Sequence, residues 1–184
     1  GREAATTVEY RNYAAHLATD RYVWLFGGLG EMTSIERAMV NADGTIGRFV
    51  KQSSALVVGR DEAAAVRIGN FVYVIGGRAD TRTSISSVER APILGDGTLG
   101  SFSLVAGVTL KASVTVGPTT YTGRYRPGVA VVGDRLYLLG GVVGDECNSP
   151  TSLDSIEAAT INQDGTISDF ELLSAKLPAG ADAP

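Results

Sequence analysis

Three arginines stand at the same place in three copies of a repeated pattern, and they are the first residues whose type and spacing suggest chemistry. They are Arg11, Arg60 and Arg124. A planar guanidinium binds a carboxylate through two parallel hydrogen bonds, so each arginine could bind the carboxylate of a ligand or a glutamate of a neighbouring repeat. The repeated glutamates are Glu36, Glu89 and Glu157. The repetition favours the structural pairing, because a scaffold must follow the repeat and a ligand need not.

A second group of charged residues lies in segments that differ between the repeats. These segments follow the Gly-Gly pairs at residues 27–28, 76–77 and 140–141, and they grow longer along the chain. Binding residues are often found in variable loops that a regular scaffold holds in place. The candidates in these segments are Glu31, Arg78, Asp80, Arg82, Asp145 and Glu146, whereas Arg126 is a fourth arginine near the three repeated ones. We expect them to form a binding surface together with an insertion at 107–121, which we expect to extend a hairpin.

Catalytic and metal chemistry receive little support from the other residue types. His16 is the only histidine, so a site with two histidines cannot form within the chain, and we expect His16 to pack structurally. Cys147 has no second cysteine to pair with and lacks the clustered partners of a zinc site. Because no nucleophile, base and orienting group come together in the pattern, we predict that the chain is not an enzyme and holds no cofactor or metal.

The composition argues against further classes of function. The 184 residues carry a formal net charge of −4, with 20 acidic and 16 basic side chains. Nucleic-acid binding needs a basic face, so we expect no nucleic-acid partner. No apolar run approaches the roughly 20 residues of a membrane-spanning helix. The chain begins with Gly1 and its only methionines are Met32 and Met39, which suggests a piece of a longer chain.

The elements that must position these residues follow from the repeat itself. Each copy contains an apolar run that ends in Gly-Gly, a Ser-Ile-Glu or Ser-Val-Glu triplet, an Asp-Gly-Thr turn and a phenylalanine. The phenylalanines are Phe49, Phe102 and Phe170. Runs of β-branched and aromatic residues between glycine turns are typical of short strands, and no segment shows a sustained helical period. We therefore predict four antiparallel strands in each copy and no helix.

These motifs resemble kelch repeats over nearly the whole chain, from residue 11 to about residue 178. The Asp-Gly-Thr turns and Ser-Ile-Glu strands look most like bacterial kelch repeats, with phenylalanine where the family usually has tryptophan. The resemblance implies an all-β fold of three four-stranded antiparallel kelch blades, a partial β-propeller of about half a ring, with repeats at approximately 11–59, 60–123 and 124–184. It also places the repeated arginines on the rim where loops converge, a location that kelch proteins often use to bind peptide acids.

Three blades are fewer than the four to eight of a closed propeller. An open stack of three would leave two apolar sheet faces in water, and apolar patches of that size mark interfaces. We therefore expect the faces to be covered in one of two ways. Either additional propeller blades belong to a longer chain, or two copies form a head-to-tail homodimer.

The resemblance leaves three functions open. The first, which we favour, is a non-catalytic module that binds a protein or a glycan through loops on one face. The second is a fragment of a propeller enzyme, similar to a sialic-acid epimerase or an oxidase, whose active residues lie on missing blades; the copper oxidases of the family need two histidines. The third is a structural subunit that completes a ring by self-association. The resemblance also suggests an extracellular or cell-envelope location.

Overall fold

The computed structural model describes residues 7–19, 21–30 and 32–178, which form strands, turns and loops. The strands are β1 (Ala15–Ala18), β2 (Tyr22–Phe26), β3 (Ile35–Met39), β4 (Val50–Lys51), β5 (Ala64–Ile68), β6 (Phe71–Ile75), β7 (Ser87–Pro92), β8 (Ser103–Thr109), β9 (Ser113–Val116), β10 (Thr119–Thr122), β11 (Gly128–Val132), β12 (Arg135–Leu139), β13 (Val142–Val143), β14 (Thr151–Ser152), β15 (Ser155–Thr160) and β16 (Glu171–Lys176). Within these ranges no helix is present that could cross a membrane. The predicted all-β fold is confirmed.

Three antiparallel sheets of four strands each form the blades. Blade 1 consists of β1–β4, blade 2 of β5–β8, and blade 3 of β11, β12, β15 and β16. In each sheet the spatial order of the strands follows the chain, which confirms the four antiparallel strands predicted for each copy. The first strands of neighbouring blades lie next to each other, β1 beside β5 and β5 beside β11. These first strands therefore form the inner edge of the stack.

Two further hairpins depart from the repeat. Strands β9 and β10 pair in the insertion, and β13 and β14 pair in the loop that follows Gly140 and Gly141. We expected the insertion to extend an existing hairpin, but it forms a separate one. The physical reason is a tight turn at Gly117, whose φ of 58° lies in the left-handed region that glycine adopts without strain.

Strand β6 shows how the blades pack against each other. Val72 and Val74 belong to the apolar core between blades 1 and 2, and Tyr73 and Ile75 belong to the core between blades 2 and 3. All four side chains are completely buried. Because neighbouring side chains of a strand point to opposite faces, a middle strand that is apolar at every position can be buried on both sides.

The leading face of blade 1, which points away from blade 2, has no such cover from the described chain. Val23 and Leu25 occupy the positions of Val72 and Val74 but are only half-buried. His16 lies opposite Leu25 in the sheet and is exposed. His16 is therefore not packed within the described chain, because its strand presents it on a face that only a preceding blade would cover.

Candidate binding surface

Each repeated arginine forms a buried ion pair with the repeated glutamate of its own blade. The Nη2–Oε1 distance is 2.6 Å in all three pairs, which are Arg11–Glu36, Arg60–Glu89 and Arg124–Glu157. No side chain of the six is more than 2% exposed. The pairing therefore lies within a blade rather than between neighbouring blades. Burial also withdraws the three guanidinium groups from contact with a ligand.

The pair in blade 2 shows what this ion pair does locally. Arg60 donates to the carbonyl oxygen of Gly76 at 2.7 Å and to the hydroxyl of Ser87 at 3.0 Å. Glu89 accepts hydrogen bonds from the backbone N–H groups of residues 57 and 58, at 2.7 and 2.9 Å. Burial lowers the pKa of Arg60, and the adjacent Glu89 carboxylate opposes that shift. The ion pair thus connects the segment that enters the blade, residues 57–60, to the second and third strands of the blade.

The second residue after each repeated arginine has a left-handed backbone although it is not glycine. The φ angle is 57° at Tyr13, 52° at Glu62 and 55° at Arg126. This conformation is unfavourable for residues with a Cβ atom. Hydrogen bonds between blades offset it, since the Glu62 N–H donates to the Tyr13 carbonyl and the Arg126 N–H donates to the Glu62 carbonyl, both at 2.8 Å. These three residues form an inner rim beside the first strands.

Arg78, a predicted site residue, is buried in an ion pair that only blade 2 carries. Its Nε and Nη2 atoms donate to the two carboxylate oxygens of Asp61 at 3.0 and 2.7 Å. The hydrogen bonds to Asp61 raise the pKa of Arg78. The backbones of the two residues also form a β-bridge, and the equivalent bridge contains Leu29 in blade 1 and Val142 in blade 3. An ion pair at this position is therefore a departure from the repeat.

Glu146 connects this buried pair to two exposed arginines. Its carboxylate contacts Arg78, and it lies 3.5 Å from Nη1 of Arg82 and 3.3 Å from Nη2 of Arg126. Arg126 also donates to Glu62 at 2.6 Å. The side chains of Arg82 and Arg126 are 57% and 50% exposed. Two guanidinium groups therefore face solvent while they share one partly exposed carboxylate.

Loops from two blades hold these side chains in place. The backbone N–H of Glu146 in blade 3 donates to the carbonyl oxygen of Arg82 in blade 2 at 3.0 Å. The hydroxyl of Ser84 in the same blade 2 loop donates to the carbonyl oxygen of Thr122 in β10 at 3.0 Å. The structure thus brings the two variable loops and the insertion together on one face.

The remaining predicted site residues have separate positions. The Asp145 carboxylate accepts hydrogen bonds from the Asn148 side chain at 2.9 Å and the Cys147 N–H at 2.8 Å, and these bonds lower the pKa of Asp145. Asp145 therefore shapes its own loop. Asp80 is exposed in the blade 2 loop. Glu31 lies outside the described residues.

A cleft of about 540 Å³ opens at the inner rim. It is lined by Tyr13, Ala14, Ala15, His16, Glu62, Ala63 and Arg126. Glu62 is 6% exposed, and its Oε2 atom finds no donor among the described residues. The Arg126 guanidinium lies 5.8 Å from the centre of the Tyr13 ring. Tyr13 and Glu62 were not among the predicted site residues, because the residues at this position share no side-chain type. Their fixed spacing after the arginine is the one signal that could have found them.

A comparison with protein-family models matches residues 123–158 to the Kelch motif. The match covers blade 3 from the segment before β11 into β15, and it includes the ion pair of Arg124 and Glu157. Blades 1 and 2 repeat its sheet order and its buried ion pair. Residues 123–158 therefore contain a kelch motif, and this match supports the kelch-repeat interpretation of the three all-β blades. No curated protein matches the chain.

Proposed function

We propose that this kelch-repeat chain is a non-catalytic module that binds a protein partner through one loop surface. The loop surface consists of Asp80, Arg82, Arg126, Asp145 and Glu146. One observation carries the proposal: two half-exposed guanidinium groups from different blades converge on a single carboxylate at 3.3 and 3.5 Å. Kelch repeats generally mediate protein interactions, which supports the same conclusion.

The chemistry of the loop surface favours an acidic segment of the partner. A guanidinium has five N–H donors, and the contacts of Arg82 and Arg126 with Glu146 are long for charge-assisted hydrogen bonds. Both arginines therefore retain donors for a carboxylate that approaches from solvent. The repeated arginines do not contribute, because their buried donors already bind the carbonyl groups and glutamates of their own blades.

Synthetic peptides test this proposal directly. Fluorescence anisotropy measures the binding of a panel of short labelled peptides that carry spaced glutamates, next to the same peptides with glutamine. We expect glutamate peptides to bind in a salt-dependent manner. The double substitution Arg82→Ala and Arg126→Ala should weaken binding at least about tenfold, because charge-assisted hydrogen bonds are lost.

Arg67 provides the matched control for this experiment. It is exposed at the other end of β5, next to the turn at Gly69, and so lies outside the loop surface. Arg67→Ala also removes a positive charge, one against the two of the double substitution, and should leave peptide affinity unchanged. Equal weakening by Arg67→Ala, or equal binding of the glutamine peptides, would contradict recognition by the loop surface.

The uncovered faces support a second, structural role. In blade 2, Leu110 packs 2.9 Å from the Cβ position of Gly76 and is 3% exposed beneath blade 3. Leu177 has the same place beside Gly140 in blade 3 but is only half-buried. We propose that additional propeller blades or a second copy cover these faces, so that the chain forms part of a larger ring.

A further inference from the structure

Three hydrogen bonds join neighbouring blades, with the same polarity at both junctions. In the rim bond, the later blade donates the N–H of its left-handed residue to the equivalent carbonyl of the earlier blade. In the strand-end bond, the earlier blade donates the N–H of its second glycine to the carbonyl of the next repeated arginine. In the turn bond, a side chain of the earlier blade donates to the glycine carbonyl of the next Asp-Gly-Thr turn. Between blades 2 and 3 the donor–acceptor pairs of the rim, strand-end and turn bonds are Arg126–Glu62, Gly77–Arg124 and Tyr73–Gly165, at 2.8, 2.9 and 2.7 Å. Between blades 1 and 2 the corresponding pairs are Glu62–Tyr13, Gly28–Arg60 and Arg37–Gly97, at 2.8, 3.0 and 3.1 Å.

The two ends of the stack carry the two halves of this pattern. Blade 3 carries the three groups that an earlier blade contributes to a junction. They are the Arg126 carbonyl, the Gly141 N–H and the hydroxyl of Tyr137, which has the position of Tyr73. Blade 1 carries the three groups that a later blade contributes, which are the Tyr13 N–H and the carbonyl oxygens of Arg11 and Gly44. Within the described part of the chain, none of these five backbone groups has a hydrogen-bond partner. Each donor at one end thus has an acceptor at the other.

The apolar side chains of the two ends match in the same way. Ile46, next to the Asp-Gly-Thr turn of blade 1, is 43% exposed, whereas the equivalent Leu99 and Ile167 are 7% and 6% exposed against a preceding blade. At the other end, Leu139 is half-buried where blade 2 has the completely buried Ile75. Each end face therefore has the backbone groups and apolar side chains of an interface between blades, but no neighbouring blade of the described chain covers it.

We propose that the trailing face of blade 3 docks onto the leading face of blade 1 in a second copy of the chain. The same contact, repeated by two-fold symmetry, closes a ring of six blades, a number within the range of closed propellers. This inference rests on the proposed covering of the end faces and names the occupant. The bonds between copies are Tyr13 N–H to the Arg126 carbonyl, Gly141 N–H to the Arg11 carbonyl, and Tyr137 hydroxyl to the Gly44 carbonyl.

The mass of the 184-residue chain in solution tests this inference. Light scattering on a size-exclusion column compares the wild type with Ile46→Glu and Leu104→Glu. We expect the wild type at twice 19.1 kDa. Ile46→Glu should give a monomer, because docking would bury an unpaired carboxylate. Leu104 is the matched control, since it is 49% exposed on the outermost strand of the middle blade, and Leu104→Glu should remain a dimer.

Two results would overturn the inference. A wild-type chain that stays monomeric at micromolar concentration would leave further blades of a longer chain as the cover. A dimer that survives Ile46→Glu would use another surface. Peptide binding is measured on the same variants. A monomeric chain whose loop surface still binds glutamate peptides would overturn the docking inference and leave the proposed binding function intact.

Discussion

Arg60 and Glu89 are both completely buried, an arrangement that is costly unless hydrogen bonds replace the lost hydration of both charges. The blade supplies those bonds from its own backbone, through the Gly76 carbonyl for the arginine and two linker N–H groups for the glutamate. The same arrangement recurs at Arg124 and Glu157. The ion pair therefore positions the chain where it enters each blade.

The substitution Glu89→Gln measures how much this ion pair contributes to the free energy of unfolding. It preserves the size of the side chain and one carbonyl acceptor, but it leaves the Arg60 charge buried without a counter-charge. We expect the free energy of unfolding to fall by about 3–5 kcal/mol. Urea unfolding followed by fluorescence of Trp24, the only tryptophan and part of the core between blades 1 and 2, provides the measurement.

An exposed pair of equal geometry serves as the control. Arg135 and Glu171 also lie 2.6 Å apart, but their side chains are 30% and 60% exposed. Glu171→Gln should leave the free energy of unfolding nearly unchanged, because solvent screens the pair. Losses of the same size for both variants would show that burial does not make the repeated pair special.

The repeated pairs could be predicted from the sequence, because the same two residue types recur at a matched spacing. Asp61 could not, since residues 12 and 125 at the equivalent positions are asparagine and tyrosine. Its pairing with Arg78 depends on a β-bridge between two loops rather than on a periodic pattern. The burial of Arg78 could not be predicted either, because an arginine in a loop ordinarily faces solvent.

At the scale of the element, Gly27 and Gly76, the first glycines of their Gly-Gly pairs, each follow a strand where the next blade approaches. A Cβ atom on Gly76 would lie 2.5 Å from the Arg124 carbonyl oxygen, and φ at Gly76 is +62°. We expect Gly76→Ala to lower the free energy of unfolding by roughly 2–5 kcal/mol, the sum of backbone strain and steric overlap. Thermal or urea unfolding measures the loss.

Substitution of Gly117 separates the effect of backbone strain from that of steric overlap. Its φ of +58° is nearly the same, but no heavy atom lies within 4 Å of its Cβ position in the turn between β9 and β10. Gly117→Ala should therefore show the strain alone, about 1–2 kcal/mol. If Gly76→Ala cost no more than Gly117→Ala, close packing of blade 3 against that strand end would be contradicted.

The strands were predictable because alternation, β-branched residues and glycine turns agree in every copy. The β9–β10 hairpin was harder to predict, because the insertion has no counterpart in the other repeats and its threonines and valines suit either a longer strand or a new one. The position of the Gly117 turn decides between them, and a single glycine in a polar segment is a weak signal.

At the scale of the whole molecule, the loop surface exists only when two blades pack together. Arg82 comes from blade 2, whereas Arg126 and Glu146 come from blade 3, and the distances between them depend on the rotation that relates the blades. The sequence predicted that variable loops would gather on one face. It could not predict that both arginines would converge on Glu146, since a repeat encodes each blade and not the angle between blades.

The most direct test of the loop surface is an amide chemical-shift map of the isotope-labelled chain during titration with a glutamate peptide. We expect the largest changes in residues 78–86 and 142–148 and at Arg126. We expect small changes in the Asp-Gly-Thr turns at residues 43–45, 96–98 and 164–166, which lie at the opposite ends of the strands. Changes centred on those turns, or spread evenly over the three blades, would contradict binding at the loop surface.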